Sequence, residues 1–409
     1  MPEPTTRRQF LTRAAILAAG APTLGALLAA CGKSDSPSTT PSLTIASPDN
    51  PVTWPIPDDN KPIADALAPE EGATLKLYTY ADYVSPEAVK SFEDKYGAKV
   101  EISTFNDGGE SLTKLRSGVD FDIYNANYTE ISRLVNGGLL RPLNHTYISN
   151  IGNVWPSFTN PWYDQEWRYS VPYTIYTTGI GWRIDQVPED IGALGNPYDA
   201  FWDPKYKGKT AVLDDSHTTM AMVLLREGIT DINTSSEADL KMVGEQLKAL
   251  VDATSPKVTI TAYNDLPAGQ LGLALMWSGD IINAQSYLPE GTGPEVLRYW
   301  FPADGRGMVD NDMLVTLKGG KNPVLAHLFL NHMLDTEVAM QNFSAIGYQP
   351  PQNSIKPDSL VADGFIPANL SAAIVDPKWF DAGYRILELD PANDAAWMNV
   401  WRTFKAGGS

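Results

Sequence analysis

The chain has 409 residues, of which 43% are hydrophobic, and 49 acidic residues against 31 Lys and Arg give it a formal net charge of −18. This apolar content is that of a folded protein of about two domains and excludes wholesale disorder. The negative charge argues against nucleic-acid binding, and a single cysteine, Cys31, excludes a disulfide framework and any metal site built on cysteines. With only four histidines as well, we expect no metal and no cofactor.

Residues 1–30 have the pattern of an export signal. Residues 7–11 (RRQFL) resemble the twin-arginine motif, and residues 28–31 (LAAC) resemble a bacterial lipobox, which implies cleavage before Cys31 and a lipid on that cysteine. The alternative is a transmembrane helix, but the uncharged stretch 14–30 has 17 residues broken by two glycines and a proline, and a span needs about 20. We therefore predict an exported, lipid-anchored protein, periplasmic or on the outer face of the cytoplasmic membrane.

Residues 31–71 read as a tether between the lipid and a folded body. Eight prolines occur among Ser, Thr and Asp, a composition typical of an extended, partly stiff linker. The stretch 51–56 is less polar, which leaves open whether that part extends freely or packs against the body.

Strands and helices alternate from Leu75 onward. The predicted strands are 75–80, 100–105, 121–125, 210–213, 271–276 and 313–317. The predicted helices are 86–96, one that runs through Leu112 and Leu115 to Gly118, 130–136, 216–227, 281–287, 323–334 and 338–343. Ser85 and Pro86 mark the start of the first helix, and Gly97 marks its end. This alternation predicts βαβ units, a parallel sheet and an α/β fold of two lobes rather than one long sheet.

Aromatic and acidic residues recur where these strands end. They are Tyr80, Asp82 and Tyr83 after the first strand, Asn127 after the third, and Asp215 and Trp277 in the second lobe. Ligands of open parallel sheets bind beyond the carboxyl ends of the strands. Aromatic faces attract ammonium groups by about 0.5–2 kcal/mol, and carboxylates supply the charge that a desolvated cation requires. The pattern predicts a cleft for a small organic cation.

Two of these residues also have a purely structural interpretation. Asp215 lies where a helix begins, so a role as its N-cap is as well founded as ligand contact. Trp277 is also consistent with simple packing between lobes, although its place directly after an apolar strand favours the cleft.

Catalytic patterns are weak. Asp215 and His217 without further partners make a poor metal site, and His327 and His332 lie about 140° apart around a helix axis. The chain has no nucleophile elbow, P-loop or dinucleotide fingerprint. We therefore predict a binding protein and not an enzyme.

A series of short motifs occurs in the order and spacing of one known family. They are residues 80–83 (YADY), 121–123 (FDI), 169–173 (YSVPY), 179–181 (GIG), 204–208 (PKYKG), 213–215 (LDD), 276–279 (MWSG) and 346–348 (IGY) with Pro350. By these motifs, residues 75–351 resemble the spermidine/putrescine-binding proteins of ABC importers, which have the type II periplasmic-binding-protein fold.

The resemblance implies two hinged lobes that close over a ligand held in an aromatic box with acids. The lobes would be 72–180 plus about 303–350, and 181–302 plus about 351–409. Carried over position by position, the site residues are Tyr80, Asp82, Tyr83, Asn127, Asp215, Trp277, Asp310 and Tyr348. The implied partners are a polyamine and the permease subunits of the importer, with the membrane reached only through the lipid on Cys31. We expect a monomer.

The chain departs from the family pattern at three positions. Tyr80 stands where the family has Trp, Thr218 stands where it has an acid, and residues 309–312 (VDND) replace its Trp-x-Asp. Whether Asp310 or Asp312 takes the place of that acid stays open. These departures leave a shorter diamine, or another cationic or amide-bearing solute, as alternatives to spermidine.

The sequence therefore predicts a substrate-binding lipoprotein of an ABC importer that captures a polyamine or a similar small cation. The alternative is a ligand-sensing receptor of the same fold, and neighbouring genes for an ATPase and a permease would favour the importer. An exported enzyme ranks last.

Overall fold

The computed structural model describes residues 44–106 and 108–407. The predicted signal (residues 1–30), the lipidated Cys31 and the first part of the tether lie outside the described residues. Among the described ones the strands are β1 Thr74–Tyr80, β2 Lys99–Phe105, β3 Ile123–Asn127, β4 Ser170–Arg183, β5 Thr210–Val212, β6 Lys257–Val258, β7 Leu273–Trp277, β8 Leu297–Trp300 and β9 Met308–Thr316.

The α-helices of the described residues lie between these strands and after the last one, and they include several that the sequence analysis did not predict, such as 237–254 and 391–405. They are α1 Pro86–Tyr96, α2 Gly108–Arg116, α3 Ile131–Asn136, α4 Ser216–Arg226, α5 Glu237–Thr254, α6 Ala262–Asp265, α7 Ser278–Asn283, α8 Pro323–Met333, α9 Thr336–Ile346, α10 Pro357–Ala362, α11 Trp379–Ala382 and α12 Pro391–Lys405. Each predicted strand and helix overlaps an observed one, and the prediction of an α/β fold is confirmed.

Local chemistry sets the ends of α1. The Ser85 hydroxyl accepts hydrogen bonds from the backbone amides of Glu87 and Ala88, which have no partner within the helix. Gly97 ends the helix at φ 64°, a left-handed conformation that costs glycine little. Both ends agree with the prediction from the sequence.

The strands form one sheet in the order β2-β1-β3-β9-β4-β7-β5-β6, with β8 also paired to β4. The pairs β1–β2, β1–β3, β5–β6 and β5–β7 are parallel, whereas β4 and β9 run antiparallel to their neighbours. The sequence analysis expected two lobes rather than one long sheet. That expectation is wrong for the sheet, because backbone hydrogen bonds join all nine strands of the described residues into one. The reason is β4, whose 14 residues pair with β9 along the first part and with β7 and β8 along the last.

Each half of the sheet has its own apolar core on both faces. We define the first half as β1–β3 with β9 and the start of β4, and the second half as β5–β8 with the end of β4. Phe92 and Tyr124 lie in separate clusters of the first half. Phe201 and Ile281 do so in the second half. Helix α12 buries Trp397 in the second half, so the C-terminal segment packs there.

The later part of the predicted tether packs against the first half. Trp54 is buried, and its indole Nε1 donates a hydrogen bond of 2.8 Å to the carbonyl of Tyr163. The amide group of Asn60 donates at 2.8 Å to the carbonyl of Leu140. The folded body therefore begins before residue 72. The stretch 51–56 packs against the body and does not extend freely, since the Trp54 indole is buried there.

Candidate functional site

One cavity of about 230 Å³ lies where the ends of β1, β3 and β7 meet the middle of β9. All eight predicted ligand residues line it: Tyr80, Asp82, Tyr83, Asn127, Asp215, Trp277, Asp310 and Tyr348. Asp312 and Thr218, the two positions at which the family pattern was uncertain, line it as well. The structure thus brings the predicted residues together, and their contact with a ligand stays a prediction.

Five aromatic rings form a continuous wall of this cavity. Tyr80 and Tyr83 have ring centroids 5.7 Å apart, and Tyr83 lies 4.8 Å from Tyr348. Tyr348 lies 5.7 Å from Tyr176, which in turn lies 6.2 Å from Trp277. All four contacts are edge-to-face, which is a favourable arrangement of aromatic rings. Sequence analysis missed Tyr176, because its strand β4 was not among the predicted elements.

Asp312 lies against this wall and accepts hydrogen bonds from neutral donors. Oδ2 accepts from the Tyr83 hydroxyl at 2.8 Å, and Oδ1 accepts from the Asn127 amide at 3.1 Å and the Tyr176 hydroxyl at 3.3 Å. Burial raises the pKa of Asp312 to about 6, although these hydrogen bonds oppose the shift. Within the described part of the chain, the Asp312 carboxylate is therefore held in place without a cation in direct contact.

Asp310 has a different environment. The Tyr128 hydroxyl donates to it, and the Arg385 guanidinium lies 4.5 Å from the centroid of the Tyr128 ring. Burial raises the pKa of Asp310 to about 6, whereas the positive charge of Arg385 opposes that rise. Asp310 and Asp312 thus both line the cavity, but among the residues that the structure describes only Asp310 has a protein cation close by.

Asp280 is a cavity residue that sequence analysis did not select. Its Oδ1 accepts a hydrogen bond of 2.7 Å from the Tyr348 hydroxyl, and its Oδ2 is buried without a hydrogen-bond partner among the described residues. Burial raises the pKa of Asp280 to about 7. The signal was available, because Asp280 follows Trp277 by three residues at the end of an apolar strand.

Gly279 explains how Tyr348 reaches this carboxyl. A Cβ atom at Gly279 would lie 2.3 Å from the Tyr348 ring, so the ring can pack there only against a glycine. The close approach leaves the hydroxyl within hydrogen-bonding distance of Asp280.

Asp215 and Asp82 are cavity residues that are less buried than Asp310 and Asp312. Asp215 Oδ1 accepts a hydrogen bond of 2.7 Å from the backbone amide of Thr218, so this residue is the N-cap of α4 as well as a cavity residue. Asp82 is exposed and left-handed at φ 53°. Its Oδ2 lies 3.5 Å from the hydroxyls of Tyr263 and Tyr287, which belong to the second half.

The cavity is strongly biased towards negative charge. Its described lining contains seven carboxyl groups, no Lys and no Arg; the carboxyls are those of Asp82, Glu130, Asp214, Asp215, Asp280, Asp310 and Asp312. Burial raises the pKa of Glu130 to about 8, so this group is largely uncharged at neutral pH. Within the described residues no cluster of His, Cys, Asp and Glu is arranged to hold a metal ion. The arrangement can stabilise an organic cation.

Comparison with known proteins identifies the family. Residues 87–373 match the bacterial extracellular solute-binding proteins. This chain belongs to that family. It is 26% identical over 285 residues to the spermidine/putrescine-binding periplasmic protein of Escherichia coli, a match that covers 69% of this chain and 78% of that protein. It is 24% identical over 327 residues to the putrescine/cadaverine-binding protein of Pseudomonas aeruginosa, with 77% and 90% covered.

The chain is similar in structure to a solved protein described as a putative spermidine/putrescine ABC transporter from Listeria monocytogenes. The TM-score is 0.69 at 26% identity, and the alignment covers 81% of this chain and 98% of the other. The resemblance drawn from the short motifs is confirmed, as is the interpretation as a solute-binding protein of the transporter class rather than an enzyme. No helix in the described part of the chain has both the length and the apolar character to cross a membrane.

Proposed function

We propose that this solute-binding protein captures a polyamine for an ABC importer. The observation that carries the proposal is the aromatic wall with seven carboxyls and no cationic side chain in the described lining of one cavity. Relatives named for spermidine, putrescine and cadaverine binding support the same ligand class.

The geometry supplies two kinds of stabilisation for an alkylammonium ligand. Asp312 and Asp280 provide buried carboxylates, and Tyr83 and Tyr348, which donate to them, touch edge to face at 4.8 Å. Ammonium groups are bound by the carboxylates and by aromatic faces, while the methylene chain packs against the rings. A micromolar ligand needs about 8 kcal/mol of net binding free energy, which two desolvated ion pairs and an aromatic wall can supply.

Capture by closure of two lobes is part of the proposal. We take the lobes as residues 72–180 with about 303–350, and 181–302 with about 351–409. The contacts of Asp82 with Tyr263 and Tyr287 join the two halves at the rim of the cavity, as a closed state requires. The closed form would present a distinct surface to the permease subunits of the importer, and we propose that it does so as a monomer.

Export and anchoring complete the proposal. We infer that residues 1–30 direct export by the twin-arginine route and that a lipid on Cys31 holds the protein at the outer face of the membrane. Cys31→Ser is expected to move the protein from the membrane fraction to the soluble exported fraction. Continued sedimentation with membranes would contradict the lipid anchor and leave the ligand proposal intact.

Calorimetry on the full chain with Cys31→Ser tests the ligand class. Putrescine, cadaverine, spermidine, spermine and agmatine are titrated, with a neutral amino acid as control. We expect saturable binding of at least one polyamine and none of the control. Absence of heat with every cation would reject polyamine capture.

A further inference from the structure

Two carboxylates of the cavity lining already have cations supplied by the protein. Asp214 forms an ion pair with Lys405, with Nζ–O distances of 2.7 and 2.8 Å. The Tyr128 hydroxyl donates to Asp310, and the Arg385 guanidinium lies 4.5 Å from the centroid of the same Tyr128 ring. The guanidinium also donates to the neighbouring Asn311, so its positive charge favours the ionised Asp310 carboxyl. Neither Lys405 nor Arg385 is among the cavity-lining residues, so each compensates the charge of its carboxylate without facing the cavity.

Several contacts hold Arg385 in this position, although its buried Nε has no hydrogen-bond partner among the described residues. Its guanidinium lies 4.5 Å from the Tyr128 ring centroid and 5.0 Å from that of Phe380, and its Nη2 donates to Asn311 Oδ1 at 2.6 Å. The backbone carbonyl of Arg385 accepts a hydrogen bond of 2.8 Å from the Asn233 amide. A guanidinium held between two rings and an amide oxygen keeps its charge in one place.

Asp312 and Asp280 contrast with Asp310. Asp312 accepts hydrogen bonds from two tyrosine hydroxyls and an amide, and Asp280 accepts one from a tyrosine hydroxyl. None of these donors carries a charge. These two are therefore the buried carboxylates whose charge is left for a ligand, because Glu130 is largely uncharged at neutral pH, Asp215 is half-buried and Asp82 is exposed.

We propose that Arg385 is a positioning residue for specificity: as the internal counter-cation of Asp310 it leaves two buried carboxylates for the ligand, so the site selects a diamine over a triamine or tetraamine. This inference rests on the proposed polyamine function. A third ammonium group would have to lose its water beside a carboxylate that is already compensated and near a fixed positive charge. Burying a cation without a free counter-ion is costly.

The test compares the affinities of cadaverine, putrescine, spermidine and spermine for the full chain with Cys31→Ser and for variants in that background. Wild type is expected to bind a diamine more tightly than spermidine. Arg385→Gln frees the charge of Asp310, so we expect the spermidine-to-diamine affinity ratio to rise about tenfold or more. Arg385→Lys keeps a cation and is expected to keep the wild-type ratio.

The double variant Arg385→Gln/Asp310→Asn separates charge from structure. It removes both charges, so we expect the ratio to return to the wild-type value, which a merely structural role of Arg385 would not produce. Should Arg385→Gln alone fail to fold, Asp310→Asn leaves the Arg385 charge uncompensated and is expected to weaken diamine binding about tenfold. The double variant is expected to recover that loss.

Three outcomes would overturn the inference. An unchanged ratio in Arg385→Gln, or unchanged diamine affinity in Asp310→Asn, would show that the Arg385 charge is not felt in the cavity. Failure of the double variant to recover would show that Asp310 contacts the ligand directly. Wild type that binds no polyamine would instead reject the proposed function itself.

Discussion

At the scale of single residues, Asp312 and Asp280 are buried carboxyl groups whose ionisation depends on a nearby cation. Both are at most 5% exposed, and burial raises their pKa values from 3.8 to about 6 and about 7. In the empty site the ionised forms are therefore disfavoured, because no cation replaces the lost water. A bound ammonium group would relieve that cost. The burial that makes the ionised carboxylates unfavourable without a cation therefore also favours the binding of one.

This relation predicts a pH dependence with a definite sign. Since the folded-state pKa values are raised, the stability from these two groups is present below about pH 4 and lost as pH rises through 6 and 7. Ligand binding needs the ionised forms, so putrescine affinity is expected to fall steadily from pH 8 to pH 5. The increase in melting temperature that putrescine causes is expected to fall over the same range. Calorimetry at each pH measures the affinity. Asp280→Asn serves as the control and should retain only the transition near pH 6; a flat profile would contradict both assignments.

Trp277 offers a second test at this scale. The side chain is half-buried, meets Tyr176 edge to face and packs against the edges of two apolar clusters, so Trp277→Ala removes part of the cavity wall together with some core packing. We expect polyamine affinity to drop about tenfold or more, in line with a cation–π contribution of up to about 2 kcal/mol. Trp300→Ala is the matched control, because Trp300 is half-buried in the same half but outside the cavity. Equal losses of affinity in the two variants would remove Trp277 from the site.

At the scale of elements, the site depends on how α7 meets the loop after α9. Helix α7 begins directly after Trp277, and its second residue, Gly279, faces the Tyr348 ring. Gly347, at φ 78°, turns the chain at the end of α9 so that Tyr348 enters the cavity. Gly279 and Gly347 together thus allow the Tyr348 hydroxyl to reach and hydrogen-bond Asp280.

Gly279→Ala is expected to disturb this junction. The added Cβ would meet the Tyr348 ring at 2.3 Å, so the ring must move and its hydrogen bond to Asp280 is lost. We expect about 1–3 kcal/mol less stability in urea unfolding and about tenfold weaker putrescine binding. Gly195→Ala, whose Cβ would meet open space, is the control and should change neither quantity. Wild-type affinity in Gly279→Ala would show that the Tyr348 position is not needed.

At the scale of the whole molecule, the segment that leads into the body is part of its structure. Val52 exchanges backbone hydrogen bonds of 2.9 Å with Trp162 and Gln165, and Arg168 donates at 2.6 Å to the Trp54 carbonyl. These contacts join the later part of the predicted tether to the segment that precedes the long strand β4. The body is thus held at its N-terminal end by an indole and a short run of backbone hydrogen bonds.

Trp54→Ala tests this arrangement. Because the indole is 2% exposed and hydrogen-bonded to Tyr163, its loss is expected to lower the free energy of unfolding by about 3–5 kcal/mol. Polyamine affinity should not change, since Trp54 is not among the cavity residues. Thr53→Ala, at an exposed neighbouring position, is the control for urea unfolding and should have a small effect. Wild-type stability in Trp54→Ala would contradict docking of the segment.

Much of the fold and of the candidate site was determined by local sequence alone. Capping by Ser85 and Gly97 is fixed by residues within one helical turn, and the alternation of strands and helices is a periodicity that the chain displays directly. The carboxyl ends of parallel strands meet at one edge, so the strand pattern alone was enough to assign residues such as Tyr80, Asn127 and Trp277 to one cleft.

Only the tertiary structure decided the rest. The long strand β4 is buried along its whole length and has no alternation to reveal it, so neither the single sheet nor Tyr176 in the cavity wall could be predicted. Asp310 and Asp312 are two residues apart in sequence, yet one has Arg385 nearby and the other has neutral hydroxyls. That difference comes from a segment more than 70 residues away in the chain, and charge compensation depends on distance in space, which local pattern does not encode.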